Sequence, residues 1–246
     1  MHKLGLLGKN ISYSFSKAYF KKKFEDEQID DVSYENFDID DINAFPALIK
    51  NTIGLKGMNI TIPYKEAVLP FLDKLNKKAE EIGAVNTIKI TKENKLIGYN
   101  TDCYGFKKSL KPFLKPHHKS ALILGTGGAS KAVAYSLKKL NIKHLYVSRH
   151  ARKGVDLTYD TLTRDIIKQH LLIINCTPLG TFPNIEDCPN IPYEAITNDH
   201  ILYDLIYNPE ETTFLKQGKQ QHATTINGLN MLKFQAEKAW SIWNLS

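Results

Sequence analysis

The stretch "SALILGTGGASKAVAYSLKKLNIKHLYVS", Ser120 to Ser148, joins a compact apolar run, a glycine-rich turn, a helical pattern and a second apolar run. Strand, loop, helix and strand within about 30 residues make a βαβ unit the size of a nucleotide-binding half. Gly125 and Gly127 occupy the first two positions of G-x-G-x-x-G, Gly128 and Ala129 follow, and Ser130 stands where a third glycine or alanine belongs. Such a match is weak alone. Here a strand enters the turn and a helix leaves it, so amides at the helix start would face a pyrophosphate.

The end of the second strand selects among dinucleotides. An NAD site places Asp or Glu there to bind the ribose 2′-hydroxyl. This chain has Ser148 and Arg149, with Arg152 and Lys153 close behind. Without a carboxylate, and with cations suited to an extra phosphate, the pattern favours NADP over NAD. The competing reading is a solvated basic loop.

Outward from this unit, the first hundred residues alternate strand-like and helical runs: "KLGLLG", "SKAYFKKKFEDEQ", "VSYENFDI", "DINAFPALIKN", "LKGMNITIP", "YKEAVLPFLDKL" and "KKAEEIG". That rhythm predicts an α/β layer structure with a largely parallel sheet. "TIKIT" and "KLIGYN", separated by Lys92 to Asn94, read as a hairpin. A second domain is expected to begin between Asp102 and Ser120. Beyond Ser148, strands are predicted in "LLIINC", "HILYDLI" and "ATTI". Leu229, Leu232, Ala236, Ala239 and Trp240 fall at helical spacing, so an amphipathic helix is predicted over 227–243.

Composition sets the class. With 42% hydrophobic and 24% charged residues over 246 positions, the chain reads as an ordinary globular protein. Neither a membrane-length apolar run nor a signal-peptide pattern is present, so a cytoplasmic location is expected. Cys103, Cys176 and Cys188 are odd in number and form no C-x-x-C pair. They are read as reduced thiols, with no disulfide framework and no metal site. The net charge of +7 is compatible with nucleic acid, an acidic membrane or small anions. Runs such as Lys21 to Lys23 more often mark a solvated helix face.

Eight motifs in order, "SYSFS", "MNITIPYK", "GAVNT", "NTDCYGF", "GTGGAS", "NCTPLG", "YDLIYNP" and "NGLNMLKFQ", resemble the shikimate dehydrogenase family over nearly the whole chain. The resemblance implies NADPH-dependent, reversible reduction of 3-dehydroshikimate to shikimate, on the way to chorismate and the aromatic amino acids. It also implies two domains. A substrate-binding α/β domain spans 1–103 and is completed by 226–246, and a Rossmann-like NADP-binding domain, 104–225, is inserted between. A monomer or homodimer acting on a small molecule, without nucleic acid or membrane, is the expected form.

The family's catalytic lysine and its partner aspartate match Lys65 and Asp102. Its substrate-binding positions match Ser14, Ser16, Asn59, Thr61, Asn86, Tyr207 and Gln235, neutral groups suited to a ligand with several hydroxyls and one carboxylate. The cofactor positions are Gly125, Gly127, Gly128, Ala129, Ser148, Arg149, Arg152, Thr177, Gly228 and Met231. Hydride delivery to a ketone makes an alkoxide that needs a proton, and an ordinary lysine holds one at neutral pH. Lys65 is therefore read as the acid/base and Asp102 as its orienting, charge-balancing partner. Taken singly, a lone lysine is more often a surface residue and an aspartate after Asn-Thr a helix cap. For Met231, ordinary helix packing is the competing reading.

Departures from the family pattern fall at three places. Tyr13 and Lys17 replace a common histidine and proline around the serines. Ser130 replaces a small residue at the helix start, which predicts looser packing there. After Arg149, "SRHARKGVDLTYDTLTRD" is short and weakly helical, so one helix of the nucleotide domain is expected to be reduced. A quinate or quinate/shikimate dehydrogenase is the alternative within the same chemistry. A non-catalytic sensor of shikimate-like ligands is the alternative of another class, although it would not need Lys65, Asp102 and the glycine loop together.

Overall fold

The computed structural model describes residues 2–12 and 14–244, so Tyr13 lies outside the described residues. The chain divides into two compact units, Met1–Thr101 with Ala236–Ser246, and Asp102–Gln235. The divisions fall at 101/102 and 235/236, where the family resemblance implies 103/104 and 225/226.

In the first unit the strands are β1 (His2–Gly8), β2 (Val32–Asp38), β3 (Leu55–Ile60), β4 (Lys74–Leu75), β5 (Thr87–Ile90) and β6 (Leu96–Tyr99), in sheet order β2-β1-β3-β5-β6-β4. β1 runs parallel to β2 and β3, whereas β5 is antiparallel to β3 and β6, giving a mixed sheet that contains the expected hairpin. The helices are α1 (Phe15–Asp26), α2 (Phe45–Asn51), α3 (Tyr64–Ala67) and α4 (Lys77–Ile82). Successive β1 side chains serve two cores. Leu4 and Leu6 pack with Phe20, Phe24 and Tyr34, while Leu7 packs with Phe45, Met58 and Ile88. On α1, Lys21 and Lys22 pair along the exposed face with Glu25 and Asp26. Lys23 turns inward to Glu27 and Glu237 at 2.6 and 3.0 Å.

The helical run expected from Tyr64 breaks after one turn. Pro70 lacks an amide proton to continue the ladder, a 3-10 turn follows at Leu69–Phe71, and Lys74–Leu75 pairs as a strand with Ile97 and Gly98. Gly83, left-handed at φ 70°, ends α4.

In the second unit β7 (Ser120–Leu124), β8 (Lys143–Ser148), β9 (Leu157–Thr158), β10 (Leu172–Asn175), β11 (Ile201–Asp204) and β12 (Thr224–Ile226) form a sheet of order β12-β11-β10-β7-β8-β9. Every pairing in it is parallel. The helices are α5 (Asp102–Leu110), α6 (Gly128–Lys139), α7 (Arg164–Gln169), α8 (Thr213–Gln220) and α9 (Leu229–Trp243), the last crossing the division between the units. A parallel sheet covered on both faces needs apolar residues at consecutive positions, and β7 supplies them. Ala121 and Ile123 join Phe106, Val133 and Tyr203 in one core; Leu122 and Leu124 join Ile167, Ile173 and Phe214 in the other. Between β8 and β10 the chain makes only β9, a 3-10 turn and the six-residue α7, the reduced connection expected after Arg149.

Candidate active site

The first unit gathers Ser14, Ser16, Asn59, Thr61, Lys65 and Asn86 around the ends of β1 and β3. Asp38 accepts from the amides of Asn10 and Ile11 at 2.8 and 3.0 Å, and so pins the loop that leads to α1. Ser14 caps α1, its Oγ accepting from the Ser16 amide at 3.2 Å. Thr61 is tied to β1 by its amide, which donates to the Leu7 carbonyl at 2.9 Å.

Asn59 and Asn86 belong to one buried network. The Asn59 amide nitrogen donates to the Asn86 carbonyl and to Thr87 Oγ1, and its oxygen accepts from the Tyr34 phenol at 2.8 Å. The Asn86 oxygen accepts from the Thr101 amide at 2.7 Å, and its nitrogen donates to Thr101 Oγ1 at 2.9 Å. Thr87 and Thr101 adjoin Asn86 and Asp102 in the motifs GAVNT and NTDCYGF, whereas Tyr34 lies in a distant segment with no motif to signal it and reaches Asn59 only through the sheet. Lys65 sits half-buried on α3, and its carbonyl accepts from the Val85 amide at 2.8 Å. That bond sets Lys65 beside the segment carrying Asn86.

The second unit holds Asp102, Tyr207, Gln235 and all the cofactor candidates. Asp102 opens α5, and Gln235 lies on α9; both are buried. A Cβ added to Gly105 would stand 2.4 Å from the Met231 carbonyl oxygen and 3.1 Å from the Gln235 amide nitrogen. Glycine therefore lets α5 and α9 touch at their backbones, which brings the Asp102 and Gln235 helices together. Met231 packs into the core with Phe106 and Tyr203, the ordinary helix role. Gly228 has a packing reason of its own, because an added Cβ would stand 2.0 Å from the Leu205 carbonyl oxygen.

The glycine turn suits a pyrophosphate. Gly125 takes φ 102°, a left-handed value that favours glycine, and space beyond Gly127 is open where a side chain would otherwise stand. Among the described residues no side chain caps the start of α6. Ser130 is buried and donates to the Gly127 carbonyl at 2.6 Å, so its hydroxyl is satisfied. Past β8, Arg149 and Arg152 are exposed, and the Arg152 guanidinium donates to Thr126 Oγ1 in the turn. Open glycine backbone with two cations and no carboxylate at the strand end fits a phosphorylated dinucleotide.

Across the sheet edge, the Thr177 amide and hydroxyl donate to Asn175 Oδ1 at 3.0 and 2.6 Å. Asn175 Nδ2 donates in turn to Asp204 Oδ1 at 3.1 Å. Asp204 also accepts from the Ile206 amide at 3.0 Å and from Thr212 Oγ1 at 2.6 Å. Burial pushes its carboxyl up to about 6, although all three donors oppose the rise.

With the native pKa above that of an exposed aspartate, the native form holds the extra proton more tightly. The corresponding stability is complete below roughly pH 4 and is lost as pH rises through about 6. The melting temperature of Asp204→Asn, relative to the parent protein, is therefore expected to be higher at pH 8 than at pH 5. Thermal melts of both proteins at the two pH values check this; a difference independent of pH would count against a buried, titrating carboxylate.

Among the described residues no group of three or more His, Cys, Asp or Glu could hold a metal ion, and no helix is long and apolar enough to cross a membrane. Residues 6–88 match the family model described as the shikimate dehydrogenase substrate binding domain. A shikimate dehydrogenase (NADP(+)) of Clostridium botulinum (strain Hall) is 38% identical over 258 residues, spanning 100% of this chain and 98% of that protein. Its counterpart from Methanococcus vannielii is 36% identical over 260 residues, spanning 98% of this chain and 90% of that one. The crystal structure of shikimate 5-dehydrogenase from Thermus thermophilus in complex with NADP(H) and shikimate matches with a TM-score of 0.87 at 30% identity, covering 99% of this chain and 94% of that chain. This kinship runs nearly the whole length of both sequences, and the chain belongs to the shikimate dehydrogenase family.

Proposed function

We propose that this protein is a cytoplasmic NADP-dependent shikimate dehydrogenase, reducing 3-dehydroshikimate reversibly to shikimate in the route to chorismate and the aromatic amino acids. The observation that carries the reading is full-length identity of 38% to a curated shikimate dehydrogenase (NADP(+)). A small anionic substrate and a phosphorylated cofactor also give the basic balance of the chain a use that requires no nucleic acid.

When bound, NADPH supplies the hydride. The residues that would hold it are the open backbone of Gly125 to Ala129 for the pyrophosphate, Ser148, Arg149 and Arg152 for the 2′-phosphate, and Thr177, Gly228 and Met231 toward the nicotinamide.

Lys65 Nζ gives its proton to the oxygen of the carbonyl under reduction, and takes it back from the hydroxyl in the reverse direction. Asp102 balances the lysine's charge and orients its ammonium. Ser14, Ser16, Asn59, Thr61, Asn86, Tyr207 and Gln235 bind the substrate's hydroxyls and carboxylate. Fixed partners hold Asn59 and Asn86 in one orientation, so the site favours a ligand whose hydroxyls match that orientation.

The test is nicotinamide absorbance during oxidation of shikimate and, separately, of quinate, each with NADP and with NAD. Rapid reduction with shikimate and NADP is expected. Equal efficiency on quinate would replace the shikimate reading with the quinate/shikimate one, and no turnover by folded protein in any combination would leave a ligand-binding relative.

A further inference from the structure

Asp204 is a fully buried carboxylate that the reaction does not use. It stands at the carboxyl end of β11, and its three donors, all neutral, come from three segments. Asn175 ends the neighbouring β10, Ile206 begins the turn that carries Tyr207, and Thr212 caps α8. A carboxylate is the side chain that offers acceptors on both oxygens, which this arrangement requires.

Its bond to Asn175 has the widest reach. Both amide hydrogens of Asn175 are spent, on Asp204 Oδ1 and on the Leu179 carbonyl at 3.3 Å. With the nitrogen held on that side, the oxygen must face the Thr177 amide and hydroxyl. Thr177 Oγ1 then accepts from the Leu179 amide at 3.3 Å, closing the loop on itself. The loop in turn abuts the glycine turn, since an added Cβ on Gly125 would meet Thr177 Cγ2 at 3.1 Å and the Cys176 carbonyl carbon at 3.2 Å.

We infer that Asp204 is a positioning residue for NADP: through the Asn175 amide it holds the Thr177 loop in the shape that receives the nicotinamide end of the cofactor. The inference rests on the proposed placement of the cofactor along the Thr177 loop. Asp204 touches neither cofactor nor substrate; it acts through Asn175.

Amide hydrogen exchange and calorimetric titration with NADP⁺ test it. In Asp204→Ala, the Thr177 and Leu179 amides of ligand-free protein exchange faster, and the Kd for NADP⁺ rises about tenfold, the scale of one lost hydrogen bond to a charged group. In Asn175→Ala, which leaves the Ile206 bond to Asp204 in place, the KM for shikimate stays near its parent value, which general loosening of the fold would not allow. Asp204→Asn keeps an acceptor toward Asn175 and restores most of the affinity. Should Asp204→Ala fail to fold, Asn175→Ala, which removes the link and leaves the carboxylate its other donors, is expected to show the same rise.

The two readings fail separately. If NADP⁺ gives residues 176–180 of the parent protein no protection from exchange, the cofactor placement falls and takes the inference with it. If that protection is present while the alanine variants bind NADP⁺ normally, the inference alone is overturned.

Discussion

Replacing Lys65 with alanine is expected to lower turnover roughly 10²–10⁴-fold in both directions, the range of a lost general acid/base. The fold is expected to survive. Lys65 holds its place through its backbone, by the bond from the Val85 amide to its carbonyl, and alanine keeps that bond. The side chains that anchor α3 are its buried neighbours: Tyr64, whose phenol donates to the Ile39 carbonyl at 2.7 Å, and Val68. Alanine is also the best helix former, so the single turn is not weakened. What disappears is the ammonium proposed to give a proton to the developing alkoxide. Lys65→Arg should fall nearly as far, because a guanidinium keeps the charge but does not give up its proton. Initial rates with saturating shikimate and NADP, set beside circular dichroism of the same samples, provide the measurement. Near-normal turnover from folded Lys65→Ala would remove Lys65 from the chemistry.

The parts of the molecule that were readable in sequence are those whose cause is local. Ser120 to Ser148 declares a strand, a turn and a helix because apolar runs, glycines and helical periodicity follow one another without interruption. Lys65 and Asn86 stand out through motifs. The breaks in this legibility have tertiary causes. The helix expected after Tyr64 is cut short at Pro70, and its remainder is drawn into strand pairing with β6. Gly228 reads as a cofactor residue beside "NGLN", whereas its smallness is also demanded by the Leu205 carbonyl, a neighbour contributed by another segment. Ser130 looks like a packing fault and proves satisfied by the Gly127 carbonyl. Asn175 and Asp204 are 29 residues apart, and their partnership follows only once β10 and β11 are known to lie side by side in register. Tyr34 reaches Asn59 in the same way, from a strand two places away in the sheet.

On the proposed reading the choice between NADP and NAD rests on a short arm of chain, and its removal should be felt by one cofactor alone. In a double variant, Arg149→Ala with Arg152→Ala, kcat/KM for NADP is expected to fall roughly 10²-fold while that for NAD changes little. A hydrogen bond to a charged group contributes about 1.5–3 kcal/mol, and the exposure of both arginines argues for the low end for each. Two such contacts, at about 1.4 kcal/mol per factor of ten, give the expected loss. The arm is not a free tail. Arg152 is tied to Thr126, so its guanidinium already stands beside the glycine turn. Arg149 follows directly on β8, where a dinucleotide site of the other specificity carries a carboxylate. Neither residue belongs to a core cluster, so melting temperature should hold. Raising salt should erode the parent protein's preference for NADP and leave the variant's rates with NAD nearly level, because the extra attraction is between exposed charges and is screened. If the double variant keeps its preference for NADP, the 2′-phosphate is held by other groups and the basic arm is a solvated loop.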